Sequence, residues 1–166
     1  MTVSNADIHV TLPDGSQRTL PAGSTVLDLA ASIGSRLAKA AVAGTIDGAE
    51  TDLASILAQG NKVAIITVDT EAGRHVLRHS TAHVLAQAVV QMFSGAKFTI
   101  GPAIEDGFYY DFELPGGSTF SADDLVAIDA RMREIIKADQ PFTREEMSAA
   151  EALKLFVDQP YKCEII

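Results

Sequence analysis

The chain has 166 residues, 47% hydrophobic and 21% charged, which is enough apolar material for one medium domain or two small ones and too much for wholesale disorder. Four Lys/Arg stand against seven Asp/Glu up to residue 70, and nine against fifteen after it, for a formal charge of −9; neither part is the basic block of a module whose main task is gripping phosphates. No apolar run nears the ~18–20 residues of a membrane span, MTVSNADIHV is not a signal peptide, and the lone cysteine, Cys163, rules out an internal disulfide and fits a reducing cytoplasm.

The opening predicts a hairpin. IHVTL (8–12) alternates, Pro13-Asp14-Gly15 supplies turn chemistry, and SQRTL (16–20) runs back. Thr25 with Asp28 has the spacing of a capping box ahead of VLDLAASI, and Gly34 sits where a left-handed glycine would end that helix. AVAGTI (41–46) predicts a third strand, Asp47-Gly48 a turn, residues 53–57 a short helix, and KVAIITV (62–68) a final strand. Two strands, a helix and more strands in this order form an α+β roll, for which the β-grasp topology is the commonest home.

The texture changes after Asp69. Asp69 or Thr70 can cap a long helix from Glu71 to about Phe93. KFTIGPAI and FYYDFEL are β-like and are separated by Glu105-Asp106-Gly107. Ser121 with Asp124 starts a helix reaching about Ala138, with an apolar stripe of Leu125, Ile128, Met132, Ile135 and Ile136 that Pro141 stops. PFTREEM (141–147) predicts a strand, and Ser148 with Glu151 is a further capping box for AAEALKLFVD. PYKCEII then breaks off without a closing signal. No internal repeat occurs. The predicted division is a β-grasp domain over 1–69 and a second α+β domain over 70–166, truncated at its C-terminus.

His75, His79 and His83 recur every four residues, so they lie along one face of the long helix, drifting by ~40° per step. Apolar residues from Leu77 to Met92 cover much of the remaining circumference, which predicts that His79 and His83 point into something rather than at bulk water. Two histidines at this spacing can share a zinc ion, but such sites need three or four ligands. The HExxH reading fails because Ser80 follows His79, and Cys163 is a lone third candidate. Ser80 and Thr81 sit mid-helix, without the strained elbow that exposes a nucleophile. A packing role, with both imidazoles hydrogen-bonded in a core, remains open at this point.

RHSTAHVLAQAV (78–89), with KFTIGPAIEDGFYYDFE (97–113) downstream, resembles the second N-terminal domain of threonyl-tRNA synthetases. LPDGSQRTLPAGSTVLDLA (12–30) and AVAGTIDGAETDL (41–53) resemble the small β-grasp module called TGS that precedes it in that family. The likeness covers nearly the whole chain in the family's order. It implies a hydrolytic editing site that removes serine wrongly attached to threonine tRNA, touching the tRNA at its acceptor end. By residue, it implies catalytic roles for His79 and His83, which match the family's HxxxH pair, and substrate-binding roles for Tyr110 and Lys162. No metal is expected on these residues.

The family's later Cys-x-x-x-His element does not occur in this sequence. Cys163 directly follows the PYK lysine and is not that cysteine. ATP with magnesium and a zinc ion are expected only in the family's catalytic body, which this stretch does not contain. No cofactor is therefore expected here, the parent is expected to be a cytoplasmic homodimer, and this stretch is expected to be a monomer with little editing of its own. Two rival readings carry other chemistry. One is a free-standing or alanyl-type editing protein that depends on zinc. The other is a TGS module that only docks RNA or a partner; no P-loop (GxxxxGK[ST]) accompanies it.

Overall fold

The computed structural model describes residues 7–141 and 143–166. The chain divides into two compact units, one through Leu77 and one from Arg78 onward. Strands β1 (Asp7–Thr11) and β2 (Gln17–Pro21) form an antiparallel hairpin with Ile8 opposite Leu20. Helix α1 (Val26–Ile33) starts at the Thr25–Asp28 capping box, in which each side chain accepts from the other's backbone N–H. A second short helix, α2 (Ser35–Ala40), follows at once.

Strands β3 (Ala41–Ile46), β4 (Ala49–Thr51) and β5 (Val63–Thr67) form an antiparallel sheet in the order β4-β3-β5. A parallel bridge from Thr11 to Lys62 joins β1 to β5. The result is a mixed, twisted sheet on one helix, the β-grasp arrangement expected from the sequence. Val10, Val26, Leu29 and Val63 form its dry centre, each at most 2% exposed.

Two local expectations for this unit fail. Gly34 is extended (φ 170°, ψ 146°), not left-handed, because α2 begins on the next residue and no reversing cap is needed. Residues 53–57 form no helix. Their backbone instead lies along the start of α1, with Val26 N–H donating to Ser55 O (3.1 Å), Leu27 N–H to Leu53 O (2.9 Å) and Leu57 N–H to Ser24 O (2.9 Å). Those bonds bring Leu57 into the core and satisfy helix-start donors that would otherwise stay unpaired.

Helix α3 (Glu71–Met92) runs across the division between the units. Thr70 starts it, its Oγ1 accepting from Gly73 N–H at 3.0 Å. Gly73 has a packing reason for standing in a helix: a Cβ there would lie 1.9 Å from the Thr67 carbonyl oxygen. In the second unit the C-terminal half of α3 buries Ala88 and Val89 against α4 (Ala122–Lys137), which contributes Ile128 and Ile135. Helix α4 begins at the Ser121–Asp124 capping box.

Between these helices run β6 (Lys97–Phe98), β7 (Ala103–Ile104), β8 (Gly107–Phe108) and β9 (Phe112–Glu113), with β6 paired to β9 and β7 to β8. Helices α5 (Ala149–Leu155), capped by Ser148 with Glu151, and α6 (Pro160–Cys163) follow. The α4 stripe is narrower than expected: Met132 joins the core, while Leu125 and Ile136 are 59% and 62% exposed. PFTREEM forms no strand among its described residues; Phe142 lies outside them. Among the described residues no helix is long and apolar enough to cross a membrane.

Candidate functional site

The second unit carries an open cleft of about 360 Å³, lined by His83, Ala86, Gln87 and Val90 of α3, by Phe98 of β6 and Tyr110 between β8 and β9, and by Phe156 at the end of α5 and Lys162 of α6. His83, Tyr110 and Lys162 therefore share one cavity. His79 does not line it but touches His83: the two Nε2 atoms are 3.0 Å apart and the rings meet edge to face at 4.6 Å. The i, i+4 spacing on α3 makes that contact, since Cβ atoms one turn apart are neighbours.

The expectation that this pair points into something rather than at bulk water holds for His83, which lines the cleft, and not for His79. His79 and His83 are both exposed, at the rim of the cleft rather than within a core. The face of α3 that is buried carries Ala82, Ala86, Ala88 and Val89 instead. Small side chains let α3 pack closely on that face, and the imidazoles are left on the open side.

One of the two nitrogens must hold the shared hydrogen, so the accepting ring carries its own hydrogen on Nδ1. The donating ring then has a free Nδ1 lone pair. The pair thus offers one open basic nitrogen and one open N–H. Partial burial, then the neighbouring His79 and Lys162, hold His83 below the ordinary imidazole range, which keeps it neutral near pH 7. Two nitrogens 3.0 Å apart subtend roughly 90° at an ion with Zn–N bonds of ~2.0–2.1 Å, tighter than a tetrahedral site prefers. Among the described residues no group of three or more His, Cys, Asp or Glu side chains is placed to hold a metal.

Lys162 and Tyr110 are positioned by aromatic packing. The Lys162 ammonium lies 4.9 Å from the centre of the Phe98 ring, a distance at which the ring face attracts a cation. Burial lowers its proton affinity and raises the Tyr110 phenol pKa, so Tyr110 is a neutral donor at physiological pH. The Tyr110 ring stacks on Phe112 at 5.0 Å and meets Phe98 edge-on at 6.2 Å. Its other flank rests on Gly101, where a Cβ would fall 2.1 Å from Tyr110 Cδ2.

Sequence reasoning missed Phe98, Gln87, Phe156 and Gly101 as site residues. Gly101 had a legible signal, a glycine before proline inside the β-like run KFTIGPAI. Phe156 and Gln87 had none, since neither periodicity nor motif distinguishes them from ordinary helix residues.

Residues 8–67, which hold the β-grasp arrangement of the first unit, match the TGS domain family. The chain as a whole is similar to curated threonine–tRNA ligases. It is 52% identical over 162 residues to that of Citrifermentans bemidjiense, 50% over 161 to that of Maricaulis maris and 45% over 159 to that of Enterococcus faecalis. Each alignment covers 96% of this chain, which spans about a quarter of the length of these relatives. Over that quarter the chain is similar to the threonine–tRNA ligases.

Proposed function

We propose that this chain serves a cytoplasmic threonine–tRNA ligase, and that residues 70–166 contribute a hydrolytic site releasing serine from mis-acylated threonine tRNA at the acceptor end. The observation that carries the reading is the His79–His83 pair, joined through Nε2 at 3.0 Å, whose His83 lines a cleft that also holds Lys162 and Tyr110. Such a site is needed because serine is threonine less one methyl, and a pocket gains only about 1–3 kcal/mol from a methylene-sized difference. Groups that accept threonine also accept serine, so a second sieve must reject the extra methyl.

The chemistry is attack of water on the aminoacyl ester. The open nitrogen of the histidine pair takes a proton as the water oxygen bonds to the carbonyl carbon. The Lys162 ammonium stabilises negative charge developing on the carbonyl oxygen. The bond from carbonyl carbon to ribose oxygen then breaks, and the imidazole returns its proton to that oxygen. Tyr110, protonated throughout, donates its hydroxyl to the ester or the terminal ribose.

The test is serine release from mis-acylated threonine tRNA by the full-length ligase. His83→Ala, with the fold retained, is expected to slow it about 10²–10⁴-fold, the usual worth of a general base. Unchanged release removes histidine from the mechanism.

A further inference from the structure

We infer that Gln159 is a positioning residue for Lys162: its side-chain amide grips β6, and its main-chain carbonyl starts the helix that delivers the ammonium to the cleft. Gln159 Nε2 donates to the Ala96 carbonyl at 3.1 Å, and Gln159 Oε1 accepts the Phe98 N–H at 3.3 Å. One side chain therefore brackets Ala96–Phe98 as a neighbouring strand would. The carbonyl oxygen of the same residue accepts the N–H groups of Lys162 (2.9 Å) and Cys163 (3.2 Å), the first bonds of α6.

Helix α6 needs such a tie. It has four residues, none fully buried, so apolar packing alone fixes its rotation only weakly. Its other link to the strands, the Tyr161 hydroxyl donating to Glu113, is exposed, and exposed polar links hold weakly. The residue gripped by Gln159 is also the one beneath the ammonium: Phe98 gives its N–H to Gln159 and its ring face to Lys162. Both contacts must move together.

An amide is the side chain that supplies a donor and an acceptor at one tip. Glutamate keeps the acceptor for the Phe98 N–H, in charge-assisted form, and loses the donor to Ala96. Leucine keeps neither. The catalytic part of this inference rests on the reading given under Proposed function; the placement of Lys162 does not.

Two measurements separate them. The first is the pH dependence of Lys162 acylation by a small amine-selective ester, read by mass spectrometry on the 166-residue chain. The second is serine release by the full-length ligase. In Gln159→Leu the acylation midpoint is expected to rise towards the ordinary lysine range, and kcat for serine release to fall roughly tenfold or more while KM changes far less. Gln159→Glu should stay close to wild type in both, and Gln159→Ala gives the same reading as Gln159→Leu should the latter not fold. An unmoved acylation profile in Gln159→Leu and Gln159→Ala overturns the inference. A shifted profile with undiminished serine release leaves Gln159 as the positioning residue and removes Lys162 from the proposed mechanism.

Discussion

Gly101→Ala tests the aromatic wall of the cleft most directly. The new methyl carbon would lie 2.1 and 2.3 Å from Tyr110 Cδ2 and Cε2, where carbon atoms rest at about 3.5–4.0 Å. The ring has little room to retreat, because Phe112 is stacked on it at 5.0 Å and Phe98 lies edge-on at 6.2 Å. Overpacking of this kind costs about 1–3 kcal/mol, and loss of the ring contacts adds about 0.5–1.5 kcal/mol. At roughly 4–8 °C per kcal/mol for a unit of this size, the combined ~1.5–4.5 kcal/mol should lower the melting temperature by about 6–36 °C. Circular dichroism reads it: the far-UV signal follows unfolding, and the near-UV signal, free of tryptophan in this chain, follows the packing of its three tyrosines, Tyr110 among them. Gly107→Ala is the control, since a Cβ there meets nothing within 4 Å. Equal melting temperatures for the two variants would refute the packing argument.

A second substitution probes the first unit. In Gly44→Ala the Cβ would lie 2.6 Å from Val26 Cγ1 and 3.1 Å from the Ala64 carbonyl oxygen; with Val26 fully buried, denaturant titration should show a loss of about 1–3 kcal/mol, and an unchanged midpoint would contradict it. The lowered His83 pKa predicts that serine release keeps its rate as pH falls through ~6.5, the ordinary imidazole value, and drops only below it; a midpoint at or above that value would count against His83 as the base. The same shift has a stability consequence. The unfolded chain binds this proton more readily than the folded one, so the stability associated with this site is complete above about pH 6.5 and is lost as pH falls from there towards the folded-state pKa.

What could be read from sequence was chiefly local. The Thr25–Asp28, Ser121–Asp124 and Ser148–Glu151 boxes all form, because a cap needs only residues three apart. The Asp47-Gly48 turn forms too, with both residues at positive φ. Expectations failed where a distant segment decided the outcome. The helical pattern at 53–57 was overridden by hydrogen bonds to the start of α1, and Leu125 and Ile136 extend an apolar stripe that α3 is too narrow to cover. For the site, spacing sufficed to put His79 against His83. It could not reveal which way the pair faces, since the alanines of α3 claim the buried side by being small rather than by being strongly apolar. Lys162 reaches the cleft through Gln159, whose partners lie 61 and 63 residues away, beyond any periodicity.

The strands around the cleft are two residues long, and the rings do what a hydrogen-bonded ladder does elsewhere. Phe98, Tyr110, Phe112, Phe120 and Phe93 follow one another at centroid spacings of 6.2, 5.0, 5.9 and 5.4 Å, running from the ammonium of Lys162 back to α3. Such a wall has two rigidities that need not agree. Its amides, with few partners, should trade hydrogen for deuterium early, while its interlocked side chains should turn over slowly on the timescale of ring flips. The floor of the cleft would then be loose to one spectroscopy and stiff to another.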